Sequence, residues 1–194
     1  MIKPLTQHNK CSATIRRFSV AFASLIVCLG VVALATAATS VVESSEYAVK
    51  AAFLFKFGTY VEWPPDTFET PKTPLVIGIV GDDPFDGTLD NMAENHRVEG
   101  RPVEVVRDQQ IDKIKNEQIL FISQSEKEKM AQIVSSLQGK KILTVSEFDD
   151  PNIIIQFVIE NDKVRFDINL DQANLVGIKL SSKLLSVART VKRK

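Results

Sequence analysis

The stretch that most constrains this chain runs from Tyr47 to Pro65, YAVKAAFLFKFGTYVEWPP, and it is too apolar for a helix with one wet face. At about 100° per residue, a helix here puts Phe53 and Phe57 on the side that carries Glu46 and Lys50. Leu54, Val61 and Tyr47 fall on a second side and Phe55 on a third. Such a helix is covered on several sides by its own domain or completed by another chain. Pro64 and Pro65 stop it, because proline lacks an N–H and pushes the preceding residue out of the helical region. Trp63 is thereby held at the helix exit, where its indole can pack on one side and donate a hydrogen bond on the other.

Ahead of this stretch is a segment of different character. Lys3, Lys10, Arg16 and Arg17 stand without acidic neighbours, an apolar run extends from Phe18 to Ala35, and Ala35-Thr36-Ala37 offers small residues where a signal peptidase reads. We expect an export signal over 1–37, a flexible start over 38–45 and one domain over 46–194; an uncleaved membrane anchor is the other reading of the leader. Both cysteines, Cys11 and Cys28, lie in that leader, so an exported domain would hold neither disulfide nor thiol. After Ala37 there are 20 Lys and Arg against 24 Asp and Glu, a formal charge of −4, and no nucleic-acid partner is expected.

The remainder alternates between two periodicities. Leu75–Val80, Val103–Val106, Gln118–Ile122 and Lys141–Val145 read as strands. Between them, Asp83-Pro84 opens a predicted helix carrying Phe85, Leu89 and Met92. Ser125 and Glu128 have capping-box spacing ahead of Met130, Ile133, Val134 and Leu137, with Gly139 closing that helix. This order implies an α/β domain, a mainly parallel sheet flanked by helices. Ile153–Ile159 and Val164–Leu170 then read as a hairpin about Glu160–Lys163. In its second arm Val164, Phe166 and Ile168 are buried while Arg165, Asp167 and Asn169 form a polar face. A last amphipathic helix is expected from about Leu180 to Val191.

The chemical inventory is sparse. His96 is the sole histidine after the leader and reads as a solvated side chain at a helix end. Asp82, Asp83 and Asp86 end a strand where α/β sheets often bind ligands, and two of them could hold a hard cation; their simpler reading is helix capping. Gly78-Ile79-Val80-Gly81 lacks the phosphate-binding glycine pattern and the P-loop lysine, so no nucleotide cofactor is expected. No serine lies in a nucleophile elbow. Ser181-Ser182-Lys183 could hold a small anion or simply cap the last helix. No enzyme activity, metal or other cofactor is therefore expected.

Several blocks together resemble one family. Lys50-Ala51-Ala52-Phe53-Leu54-Phe55-Lys56-Phe57 with Val61-Glu62-Trp63-Pro64 is similar to the opening of YfiR/HmsC-like proteins. Ile79-Val80-Gly81-Asp82-Asp83-Pro84-Phe85, Gly100-Arg101-Pro102-Val103, Ile119–Ser123, Leu143–Ser146, Val164–Leu170 and Gly177–Leu185 resemble its later blocks, in order, over about 47 to 188. The resemblance implies a periplasmic protein with a Rossmann-like mixed sheet and no known catalysis. It further implies a homodimer that holds down an inner-membrane diguanylate cyclase by binding the cyclase's periplasmic domain, limiting cyclic-di-GMP, exopolysaccharide and biofilm. Characterised relatives use cysteines of this domain in redox control, and here residues 46–194 contain none.

The surfaces expected to meet a partner are Phe53, Phe57 and Trp63 on the first helix and its exit, Arg165, Asp167 and Asn169 on the polar strand face, and Lys183. Buried aromatics and Arg favour interface centres. A small-ligand receptor using the crevice beyond Asp82 and Asp83 is the alternative, and a metal-assisted hydrolase built on the aspartates a third.

Overall fold

The computed structural model describes residues 46–108, 114 and 116–193. The predicted leader and start therefore lie outside the described residues, as does most of the polar stretch between Asp108 and Asn116. Helix α1 occupies 46–60, and β1 (Val61–Glu62) follows it directly. Then come β2 (Leu75–Val80), α2 (Thr88–Asn95), β3 (Val103–Asp108), β4 (Ile119–Ile122), a 3-10 turn (Gln124–Lys129), α3 (Met130–Leu137) and β5 (Leu143–Ser146). The chain closes with β6 (Ile155–Glu160), β7 (Lys163–Asn169), α4 (Leu170–Leu175), β8 (Lys179–Leu180), α5 (Ser182–Val187) and β9 (Thr190–Lys192).

Among the described residues, seven strands form one sheet in the order β3-β2-β4-β5-β6-β7-β9, in which only the β6–β7 pair is antiparallel. The expected α/β architecture is thus present. Both faces of the central strands are covered, which is why these strands read as unbroken apolar runs. Ile77 and Ile79 of β2 and Ile119 and Phe121 of β4 join a core with Leu54 and Phe57 of α1, Leu89 of α2, Phe157 and Phe166. Val80, Leu120 and Ile122 turn the other way, onto Met130 and Ile133 of α3. The hairpin turn is tighter than predicted. Glu160 pairs with Lys163, and Asn161 and Asp162 both take positive φ (50 and 56), as a two-residue turn of this hand requires.

Four local expectations are corrected. Asp83 does not cap α2: its Oδ1 accepts from Phe85 N at 2.8 Å, and α2 begins only after Asp86 and Gly87 (φ 46 and 75) have reversed the chain. Ser125 and Glu128 form no capping box. Ser125 Oγ instead accepts from Asp82 N at 3.0 Å, tying the 3-10 turn to the end of β2.

The run Leu170–Leu175, not foreseen as helical, is α4. Asn169 Oδ1 caps it by accepting from Gln172 N at 3.1 Å. Gly177 (φ 77) ends it, with Ile178 N donating to Ala173 O at 2.9 Å. The last helix is shorter than expected. Ser181 Oγ caps α5, and after Val187 the chain extends into β9, parallel to β7, with Arg189 N donating to Phe166 O at 2.8 Å.

Helix α1 is pinned at its start by a lysine that its apolar surroundings would otherwise expel. Lys50, 3% exposed, donates to both Glu46 and Glu147, and its ammonium lies 4.3 Å from the centre of the Tyr47 ring. Tyr47 Oη completes the cluster by donating to Glu147 Oε2 at 3.3 Å. A buried charge persists only when paired in this way, and the pair anchors α1 to the residue after β5. The face of α1 that carries Lys50, Phe53 and Phe57 is therefore an inner one.

Candidate partner interface

The end of α1 builds the most distinctive surface of the domain. Because Pro64 and Pro65 forbid further helix, the chain leaves α1 as the two-residue strand β1. β1 pairs antiparallel with β8, Val61 opposite Leu180 and Glu62 opposite Lys179, and Ser181 N donates to Tyr60 O at 2.9 Å. Trp63 turns back over the helix end and its Nε1 donates to Gly58 O at 3.1 Å, filling one of the carbonyls a helix C-terminus leaves open. Gly58 allows close packing here, since a Cβ would stand 3.0 Å from Leu75 Cδ1 and 3.1 Å from Val98 Cγ1 and those side chains would have to yield.

Against the indole lies Phe68, edge to face with ring centres 6.4 Å apart. The Arg101 guanidinium covers Phe68 at 4.0 Å and is fixed by donating from Nη1 to Thr70 O at 2.6 Å and Thr73 O at 3.3 Å. Lys183 Nζ stands 5.0 Å from the centre of the Tyr60 ring. Tyr60, Trp63, Phe68, Glu99, Arg101 and Ser181 line a cavity of about 410 Å³, and the three aromatic rings are half-buried.

The structure divides the expected contact residues. Trp63 lines this cavity, whereas Lys183 is exposed outside its lining, against the Tyr60 ring. Phe57 has no exposed surface: it stacks on Phe53 and Phe157 and meets Phe166 edge-on, so it is a core residue with nothing to offer a partner directly. Phe53 is half-buried in the same aromatic group.

The polar face of β7 is less open than its alternation implied. Asp167, 6% exposed, is gripped by Arg189, with Nε to Oδ1 at 2.8 Å and Nη2 to Oδ2 at 2.5 Å. Asn169 is spent on α4 and on Pro151 O at 3.0 Å. Only Arg165 of that trio is exposed, and it points from β7 opposite to Phe166, away from the α1 side. Tyr60, Phe68 and Arg101 were missed because they come from a helix end, a Pro-rich connection and a turn that sequence spacing does not relate.

The crevice beyond Asp82 and Asp83 is also occupied by the domain's own side chains. Arg107 Nε donates to Asp83 Oδ2 at 2.7 Å, and its Nη1 and Nη2 clamp Asp90 at 2.9 and 2.5 Å. These bonds hold the Asp90 carboxyl below its ordinary range and raise the Arg107 guanidinium further. Among the described residues no group of three or more His, Cys, Asp or Glu is placed to hold a metal ion.

The Arg189 hydrogen bonds likewise lower the Asp167 carboxyl below its ordinary value of 3.8. A carboxylate depressed in the folded state stabilises fully above its unfolded pKa, and that stabilisation is lost as pH falls through the lower folded value. Thermal melting of the wild type is therefore expected to decline more steeply below about pH 4 than that of Asp167→Asn. Parallel curves would show that the pair adds nothing to folding.

Among the described residues no helix is long and apolar enough to cross a membrane. No curated protein matches the sequence. One solved structure that the chain is similar to is the ABC domain in complex with L-Trp from Streptococcus pneumonia, 14% identical at a TM-score of 0.46. The likeness covers 61% of this chain and 55% of that one, too distant to bear on function. Residues 47–189, spanning α1 to the residue before β9, match the YfiR/HmsC-like family, and with the aromatic helix, the mixed sheet and the closing hairpin all in place the chain belongs to that family.

Proposed function

We propose that this chain is a periplasmic regulatory protein that restrains an inner-membrane diguanylate cyclase by contact, and that the aromatic cavity at Trp63 is where the contact is made. Family membership supports a regulator rather than an enzyme, with cyclic-di-GMP signalling as its theme. The observation that carries the surface assignment is the preorganised set of Trp63, Tyr60, Phe68 and Arg101. Tryptophan, tyrosine and arginine dominate the energetic centres of protein interfaces. Here the indole is fixed by Gly58 O and the guanidinium by two carbonyls, so little side-chain freedom is left to lose on binding.

In this reading residues 1–37 direct export and are removed, 38–45 form a flexible start, and 46–194 act as one domain that pairs with a second copy. Restraint by contact limits cyclic-di-GMP and with it exopolysaccharide and biofilm. Release cannot run through a disulfide of the domain, because residues 46–194 contain no cysteine.

The test is a pull-down from envelope membranes paired with a deletion strain. A membrane-spanning diguanylate cyclase should be recovered, and cyclic-di-GMP should rise on deletion. Recovery of no such enzyme, together with unchanged cyclic-di-GMP, would refute the proposal.

A further inference from the structure

A second cavity, sharing no lining residue with the aromatic one, lies where β2, β4 and β5 begin. It measures about 660 Å³, within the range of small-ligand sites. Its wall includes Glu117, which is 7% exposed and whose Oε2 is fully buried without a hydrogen-bond partner. The contrast with the next residue is sharp. Gln118 uses both ends of its amide, accepting from Val76 N at 2.8 Å and donating to Asn116 O at 2.7 Å.

Two lysines line the same cavity, yet neither ion-pairs with Glu117. Lys140 Nζ donates to Ile114 O at 2.5 Å, and Lys141 Nζ faces Asp66 Oδ1 at 3.6 Å. Buried polar atoms are otherwise almost always bonded, and a carboxylate is among the costliest to leave bare.

The sheet makes room for this side chain. Gly78, in the middle of β2, lies beneath it: a Cβ there would come within 2.8 Å of Glu117 Cγ and 3.0 Å of Leu120 Cδ1. Glycine inside a strand weakens the strand and often marks the close approach of another group.

We infer that this cavity binds a short aliphatic diamine, one ammonium on Glu117 and the other among the carboxylates at the mouth. Asp66, Glu69 and Glu104 are exposed there, so among the described lining residues four carboxylates, Glu117 included, stand with two lysines. Pro74, Val76 and Ile142 supply an apolar wall for the methylene chain. An ammonium brings three donors and no acceptor, which complements a carboxylate with one oxygen left unbonded. The carboxylate's terminal torsion is broad enough to turn either oxygen to the cavity. A divalent metal fits less well, because it demands several oxygen ligands and no group of three acidic residues converges among those described.

The test uses the purified full chain with putrescine as probe, and 1,4-butanediol and magnesium chloride as controls at matched ionic strength. Putrescine at about 100-fold its dissociation constant should raise the melting temperature by about 5–10 °C, saturably, while the diol and magnesium should not. Glu117→Gln keeps the volume and removes the charge; it should fold at least as well as the wild type and lose the response. Because the diol control needs no variant, the result stands even if a substitution disturbs folding. No shift with putrescine, an equal shift with the diol, a shift with magnesium alone, or a full response in Glu117→Gln would each overturn the inference.

Discussion

Phe57→Ala is expected to lower folding stability by about 3–5 kcal/mol, the range for emptying a large aromatic site in a close-packed core. Phe57 is fully buried, with ring centres 5.8 Å from Phe157 and 5.1 Å from Phe166. It therefore joins α1 to the β6–β7 hairpin across a long separation in sequence. Aromatic pairs of this geometry add to what burial alone supplies. Phe53, which stacks on Phe57, is itself held edge-on to Phe166 at 5.3 Å, which limits its movement into the space left behind. Urea unfolding measures the effect as a lower midpoint with an unchanged slope. A loss under about 1 kcal/mol would mean that the ring faces a partner and not the core, and the packing described for α1 would be wrong.

Much of this fold could be read from the residues because its central strands are buried on both sides. β2 matches the predicted Leu75–Val80 at both ends, and the hairpin was legible from Glu160–Lys163 between two strand-like runs, the second of them alternating. What escaped is non-local. Nothing in Val61-Glu62 or Lys179-Leu180 predicts that these short pieces pair across more than a hundred residues.

Leu184, Leu185 and Ala188 keep helical spacing that runs on toward Val191. The edge of β7 and the grip of Arg189 on Asp167 override that periodicity and draw Thr190–Lys192 into the sheet. The candidate site was half legible. Trp63 was marked by the two prolines after it, whereas Arg101 and Phe68 meet it only once the Pro-rich connection has folded over the end of α1. The apolar run favours burial of this helix within its own domain over completion by another chain, yet Phe57 stands among the expected contact residues, and its placement in the core required the positions of Phe157 and Phe166.

Trp63→Ala should weaken the contact with the partner by about 30-fold or more, the loss of at least 2 kcal/mol expected when a central tryptophan is truncated. It removes the ring that leans on Phe68, leaves Gly58 O without its donor, and opens one wall of the cavity. Arg101→Ala should act in the same direction, while Lys183→Ala, an exposed residue outside the cavity lining, should change affinity by less than about 1 kcal/mol. The decisive measurement is the dissociation constant of the purified protein for the periplasmic domain of the cyclase, taken for the wild type, Trp63→Ala and Arg101→Ala, with circular dichroism confirming that each is folded. Tight binding by the wild type and a large loss in both variants are expected; wild-type affinity in both folded variants would rule out the Trp63 cavity as the contact.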